Sequence, residues 1–145
     1  MIRRATQRDI HYILSKAQDS AVEGALLKGQ ISQEQAVQMP LAILEQGGHY
    51  LVFGNQRNEI AGWILLGENI DFITNQPHVF VYELYVLPNY RNQGIAKQLL
   101  QAAFHDSKRH GYQDIRLNVY AGNYAKEIYH KMGFEDFNTV MSRKL

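Results

Sequence analysis

The chain has 145 residues, a length that suits one domain whose core buries about two-thirds of the unfolded surface, and a second domain is not expected. Lys and Arg number 15 against 14 Asp and Glu, and the resulting net charge of +1 gives no whole-chain attraction to nucleic acid or acidic membranes. Cysteine is absent, which excludes disulfides, thiolate metal sites and a covalent acyl-cysteine intermediate.

Apolar runs such as Gly62 to Gly67 fall far short of the roughly 20 residues that a bilayer span needs. Met1-Ile2-Arg3-Arg4 leads into polar sequence rather than a signal core, so a soluble cytoplasmic protein is the expectation.

Ile2 to Ala5 reads as a short strand. Asp9 then suits the cap of a helix whose apolar positions Ile10, Ile13, Leu14 and Ala17 follow the 3.6-residue period. Ser32 can cap a second helical region from Gln33, which Pro40 interrupts before Leu41, Ile43 and Leu44, so that two short helices or one kinked helix are expected; Gly47-Gly48 ends it. From His49 the pattern becomes strand-like: Tyr50 to Phe53 and Ile60 to Leu66 form an expected hairpin around Gly54 to Asn58.

A polar connection, Asn69 to Pro77, leads to a strand over Val79 to Leu87 and a helix from about Gln93 to Arg109, whose inner face includes Ile95, Leu99 and Ala103. Ile115, Leu117 and Val119 alternate as a strand, and Asn123 precedes a helix through Ala125, Ile128, Tyr129 and Met132 that Gly133 stops. Phe134 to Leu145, with Phe137, Thr139, Val140 and Met141, reads as a closing strand. The order predicts an α/β protein (equally α+β) with a mixed sheet, and neither repeats nor a linker divides it.

The junction Val86-Leu87-Pro88-Asn89-Tyr90-Arg91-Asn92-Gln93-Gly94-Ile95-Ala96 carries the strongest functional signal. Pro88 restricts Leu87 to extended backbone and ends the strand; Gly94 lets a bulky anion approach the main chain. The helix that follows starts with amides that have no intrahelical partner, and its dipole favours negative charge. Arg91 adds positive charge, and a pyrophosphate is the expected ligand. A second polar strand-to-helix junction, Tyr120 to Asn123, can flank the same ligand.

These residues resemble the GNAT superfamily of acyl-CoA-dependent N-acetyltransferases. Its central signature, Val-x-Pro-x-x-Arg-x-x-Gly-Ile-Gly/Ala, is matched by Val86, Pro88, Arg91, Gly94, Ile95 and Ala96. A second signature is matched by Asn123, Ala125, Tyr129, Gly133 and Phe134, with one residue rather than two between Asn123 and Ala125, and the opening Ile2 to Ile10 also looks like the family's start. The resemblance implies one GNAT domain over residues 1–145. Its sheet would be mixed but mostly antiparallel, of six or seven strands flanked by about four helices, and splayed at the acetyl-CoA cleft.

In such a cleft the pantetheine would pair with backbone at Leu84, Tyr85 and Val86. The pyrophosphate would rest on the amides of Arg91, Asn92, Gln93, Gly94, Ile95 and Ala96, and Asn123 would orient the donor or the end of the second strand. The implied reaction is direct acetyl transfer from acetyl-CoA, as cosubstrate, to a primary amine in a ternary complex. Small-molecule amines, polyamines, amino acids and protein amines remain open as acceptors.

An alkyl amine with a pKa near about 10 must lose a proton before attack. Glu83, the one carboxylate between Val79 and Leu87, is the side-chain candidate for base or amine-binding anion. It can equally be a structural acid or lie on a solvated face, and a water chain can replace a direct base. Tyr129 reads from its helical position as an aromatic core residue; the resemblance assigns it protonation of the leaving thiolate. Tyr82, Tyr85, Tyr90, Tyr120 and Tyr124 join it around the expected cleft, where they suit core packing or an aromatic acceptor pocket.

The six histidines, among them His105 and His110, show no metal-ligand spacing, and no metal is expected. Lys108, Arg109, His110 and Arg116 form no sustained basic array, which argues against nucleic acid. A homodimer is open, as is a non-catalytic acyl-CoA-binding or ligand-sensing module with the same fold.

Overall fold

The computed structural model describes residues 1–25 and 31–145. In chain order they form β1 (Ile2–Arg4), α1 (Gln7–Ser15), α2 (Ala17–Gly24), α3 (Gln33–Glu45), β2 (His49–Gly54), β3 (Ile60–Ile70), β4 (Pro77–Val86), a 3-10 turn (Pro88–Tyr90), α4 (Ile95–Arg109), β5 (Ile115–Leu117) and α5 (Ala125–Lys131). The five strands make one sheet in sequence order, antiparallel from β1 to β4 and parallel between β4 and β5. This is the expected mixed, mostly antiparallel sheet, with five strands instead of six or seven and five helices instead of about four.

The missing strand is the one expected over Phe134 to Leu145, which forms no ladder; Val140, Met141 and Leu145 are exposed. Alternating side chains mark what a strand would bury, but a ladder also needs an edge, and β5 is only three residues long and ends at Leu117, short of the expected Val119. Phe137 instead lies over the Arg116 guanidinium, 4.3 Å from its ring centroid.

Of the two alternatives expected around Pro40, two short helices are not found, because α3 is one helix that contains the proline. Proline costs a helix one amide donor, and here a capping box between Ser32 and Gln35 supports the first half while Ile43 and Leu44 pack the second against the sheet.

Two cores fill the two faces of the sheet. On one, Leu51, Ala61, Ile64, Leu66, Val79 and Val81 meet Ile95, Leu99, Leu100 and Ala103 of α4. On the other, Tyr50, Val52, Trp63, Leu65 and Tyr85 meet Ile13 of α1, with Ile10, Ile43 and Leu44 partly buried around them. The periodicity of each helix thus fixes which sheet face it covers.

At the start of α1 the cap is Thr6 rather than Asp9. The Asp9 amide donates to the Thr6 hydroxyl at 3.2 Å, and the Asp9 carboxylate accepts from the Thr6 amide at 2.8 Å and from Arg3. The Arg3 hydrogen bond, aided by those from Thr6, lowers the Asp9 pKa to about 2. Since the folded value lies below the ordinary carboxylate value, Asp9 stabilises the fold fully above that ordinary value and loses its contribution as pH falls through about 2. In urea unfolding, Asp9→Asn should therefore be less stable than wild type at pH 6, with the difference shrinking toward pH 2.

Candidate active site

β4 and β5 pair only from Val79 opposite Ile115 to Val81 opposite Leu117, whereas β4 continues to Val86. Beyond Val81 no strand among the described residues pairs with this edge of β4, and the unpaired stretch to Val86 is the opening in the sheet on the β5 side. The Leu87 amide donates to the Ala61 carbonyl at 2.8 Å, and antiparallel alternation then turns the main chain of Tyr85 toward β3 and that of Leu84 and Val86 toward the opening. Of the three residues expected to pair with a pantetheine chain, Leu84 therefore turns its main chain there, and Val86 turns its amide there while its carbonyl accepts from Arg91 Nε. Tyr85 contributes its ring to the other core.

A β-bulge shapes β4 just before this point. Leu65 pairs with Glu83 and Leu66 with Val81, so Tyr82 is an extra residue on β4. The side-chain alternation is reset: Val81 faces α4, while Tyr82 and Glu83 both fall on the α1 side. Glu83 is held there by three donors. Its Oε1 accepts from the Tyr50 hydroxyl at 2.9 Å, and its Oε2 accepts from Trp63 Nε1 at 2.8 Å and Ser20 Oγ at 2.7 Å. Burial and the adjacent Glu83 charge drive the Tyr50 pKa far upward, so this phenol remains a donor.

Sequence reasoning singled out Glu83 but not its partners. Tyr50 and Trp63 are almost wholly buried, and each carries one polar atom that needs a partner. That need was the available signal, since Trp63 and Leu65 lie opposite Tyr85 and Glu83 in the β3–β4 register.

After Val86 the chain turns through Pro88–Tyr90 and reaches Gly94, the N-cap of α4, with φ of +77°. Asn92 is also left-handed, at φ +63°, a conformation asparagine tolerates better than most side chains. No side chain caps α4, and its first intrahelical bond runs from the Gln98 amide to the Gly94 carbonyl. The amides of Ile95, Ala96 and Lys97 therefore have no partner within the helix. Arg91 to Gly94 are exposed, and a Cβ on Gly94 would project into open space, so the glycine serves its backbone angle and leaves the amides uncovered. The helix begins at Ile95, two residues later than expected, which lengthens this amide-lined turn.

The Arg91 side chain folds back from the turn. Its Nε donates to the Val86 carbonyl at 2.9 Å and Nη2 to Glu23 at 2.6 Å, and its guanidinium lies 5.4 Å from the Tyr85 ring centroid. Across the opening, Asn123 accepts from the Ala125 amide at 2.9 Å, which orders the start of α5, and donates to the Gly24 carbonyl at 3.2 Å.

Tyr129 packs beneath α4 and meets Phe134 edge-on, with centroids 5.9 Å apart. Burial raises its pKa, so the phenol keeps its proton at neutral pH. Tyr129 packs against the α4-side core while Glu83 is bonded to Tyr50 and Trp63 of the other core, so the two lie on opposite faces of the sheet. Of the other tyrosines, Tyr90 accepts from Asn55 at 3.0 Å, and Tyr120 and Tyr124 are exposed.

Residues 13–144 match the family model for the acetyltransferase (GNAT) domain, and the chain belongs to this family. It is similar to an uncharacterized N-acetyltransferase, YycN, of Bacillus subtilis strain 168, with 31% identity over 100 residues covering 67% of this chain and 63% of that protein. The chain thus spans less than two-thirds of the length of that curated relative.

Among solved structures, a protein of Pyrococcus furiosus assigned as an acetyl transferase has the same fold, with a TM-score of 0.81, 21% identity and coverage of 100% of this chain and 99% of that one. The aminoglycoside N-acetyltransferase AAC(6')-Iy, solved in complex with CoA, superposes with a TM-score of 0.77 at 17% identity, covering 100% and 93% of the two chains.

The Glu83 cluster yields a stability prediction. Glu83→Leu leaves the Tyr50, Trp63 and Ser20 donors without their acceptor and should cost about 2–4 kcal/mol in urea unfolding, whereas Glu83→Gln, which retains an acceptor oxygen, should cost less than half as much.

Proposed function

We propose that residues 1–145 form one N-acetyltransferase domain that transfers the acetyl group of acetyl-CoA directly to a primary amine. The observation that carries this reading is the separation of β4 from β5 after Val81, which leaves backbone at Leu84 and Val86 facing an opening that leads to the uncapped start of α4. A pantetheine arm fits as an added strand on that edge, and a diphosphate fits the amides from Asn92 to Ala96, where the helix dipole adds to the attraction. Asn123 holds the opposite side of the opening in place.

In this reading the amine, relieved of its proton, attacks the thioester carbonyl carbon. The carbon–sulfur bond then breaks, the thiolate takes a proton from Tyr129, and the proton that the acylated nitrogen must lose to become the amide restores the phenol. The elevated Tyr129 pKa suits an acid that must hold its proton until a thiolate forms beside it. Glu83, saturated by three donors, suits an anion that attracts the ammonium form of the acceptor and passes its proton to water better than it suits a free base. A non-catalytic acyl-CoA-binding module would need neither group in these positions.

Calorimetric titration with acetyl-CoA tests the donor site. Wild type should bind saturably, and Arg91→Glu and Gly94→Val should each weaken binding at least about tenfold, the first by charge and the second by forcing a branched residue into a left-handed angle. Absence of wild-type binding would overturn the reading. With an amine acceptor found by thiol release, Tyr129→Phe should lower kcat roughly 10²-fold with little change in acetyl-CoA affinity. An unchanged kcat would remove Tyr129 from the chemistry.

A further inference from the structure

α2 makes three side-chain contacts that its sequence does not announce. Ser20 donates to Glu83 on β4, Arg91 of the β4–α4 turn donates to Glu23, and Asn123 of the β5–α5 junction donates to the Gly24 carbonyl. The turn and the junction stand on the two sides of the opening. The last turn of α2 therefore ties them together, through one ion pair and one hydrogen bond.

The ion pair bears directly on an incoming anion. Arg91 Nη2 lies 2.6 Å from Glu23 Oε2, with the Glu23 side chain about half exposed, and Arg91 directly precedes the exposed residues Asn92 to Gly94 whose amides the donor reading assigns to a diphosphate. Tyr85, under the guanidinium, also feels the charges of Glu23 and Asp19, so the α2 side of the turn is acidic. A diphosphate on the amides would place a second anion beside one cation. Two anions that share a cation oppose each other's binding, and the opposition is reciprocal.

We propose that Glu23 is a built-in competitor for Arg91, so that entry of a diphosphate-bearing donor and the seating of the last turn of α2 are negatively coupled. The proposal rests on the donor reading above. Donor binding weakens the hold of Arg91 on Glu23 and loosens the helix end that spans the opening, on the same side of the sheet as Glu83. Glu23 is a positioning residue in this scheme, since it acts on the donor site through Arg91.

CoA and pantetheine, which lacks the diphosphate, separate the outcomes when titrated into wild type and Glu23→Gln. Glu23→Gln should bind CoA about two- to fivefold more tightly than wild type, the range set by a partly exposed ion pair, and should leave pantetheine affinity unchanged. In wild type, CoA should speed hydrogen exchange at the amides of Glu23, Gly24 and Ala25. Equal or weaker CoA binding by Glu23→Gln, or slower exchange at those amides, overturns the coupling and leaves the donor site standing. Failure of wild type to bind CoA at all overturns the donor reading itself.

Discussion

One extra residue in β4 governs the rest of the site. The bulge at Tyr82 resets the side-chain alternation, so that Val81 still packs beneath α4 while Glu83 turns toward α1 and α2. Without it, Glu83 would point into the core around Leu99 and Leu100, where an acid has no donors and its burial is costly. The bulge lies just beyond the last β4–β5 pair, at Val81 and Leu117, so strand separation and the reset of facing occur together. The register shift and the end of the β4–β5 ladder thus fall together, which sets a free backbone edge beside a held carboxylate.

The polar groups around that edge divide the work between the two sheet faces. On the α1 side, Tyr50, Trp63 and Ser20 fix Glu83, and Glu23 engages Arg91. On the α4 side, the uncapped amides after Gly94 and the protonated phenol of Tyr129 stand over an apolar cluster that shields them from below. Unpartnered amides and a proton donor on one face, and a carboxylate on the other, suit the proposed transfer between a thioester and an amine.

The turn from Val86 to Ala96 was legible in the sequence because its determinants are local. Pro88 ends a strand, Gly94 supplies a left-handed angle, and Ile95 and Leu99 set the helix phase, all within a dozen residues. The surroundings of Glu83 were not legible, since its three partners come from residues 20, 50 and 63 and meet it only after the sheet forms and β4 bulges. The role of Arg91 was half legible: its charge was plain, but its pairing with Glu23 spans 68 residues. The segment from Phe134 was misread because side-chain alternation is visible in a sequence and the availability of a sheet edge is not.

The central claim is that a CoA-type donor lies along the free edge of β4. Residue-resolved amide hydrogen exchange with and without CoA tests it most directly. Added protection at Leu84 and Val86 and across Ile95 and Ala96 is the expected result, because those amides face the opening or begin α4. Protection confined elsewhere, for example to the groove of about 640 Å³ lined by Arg4, His11, Glu45 and His49, would contradict the account.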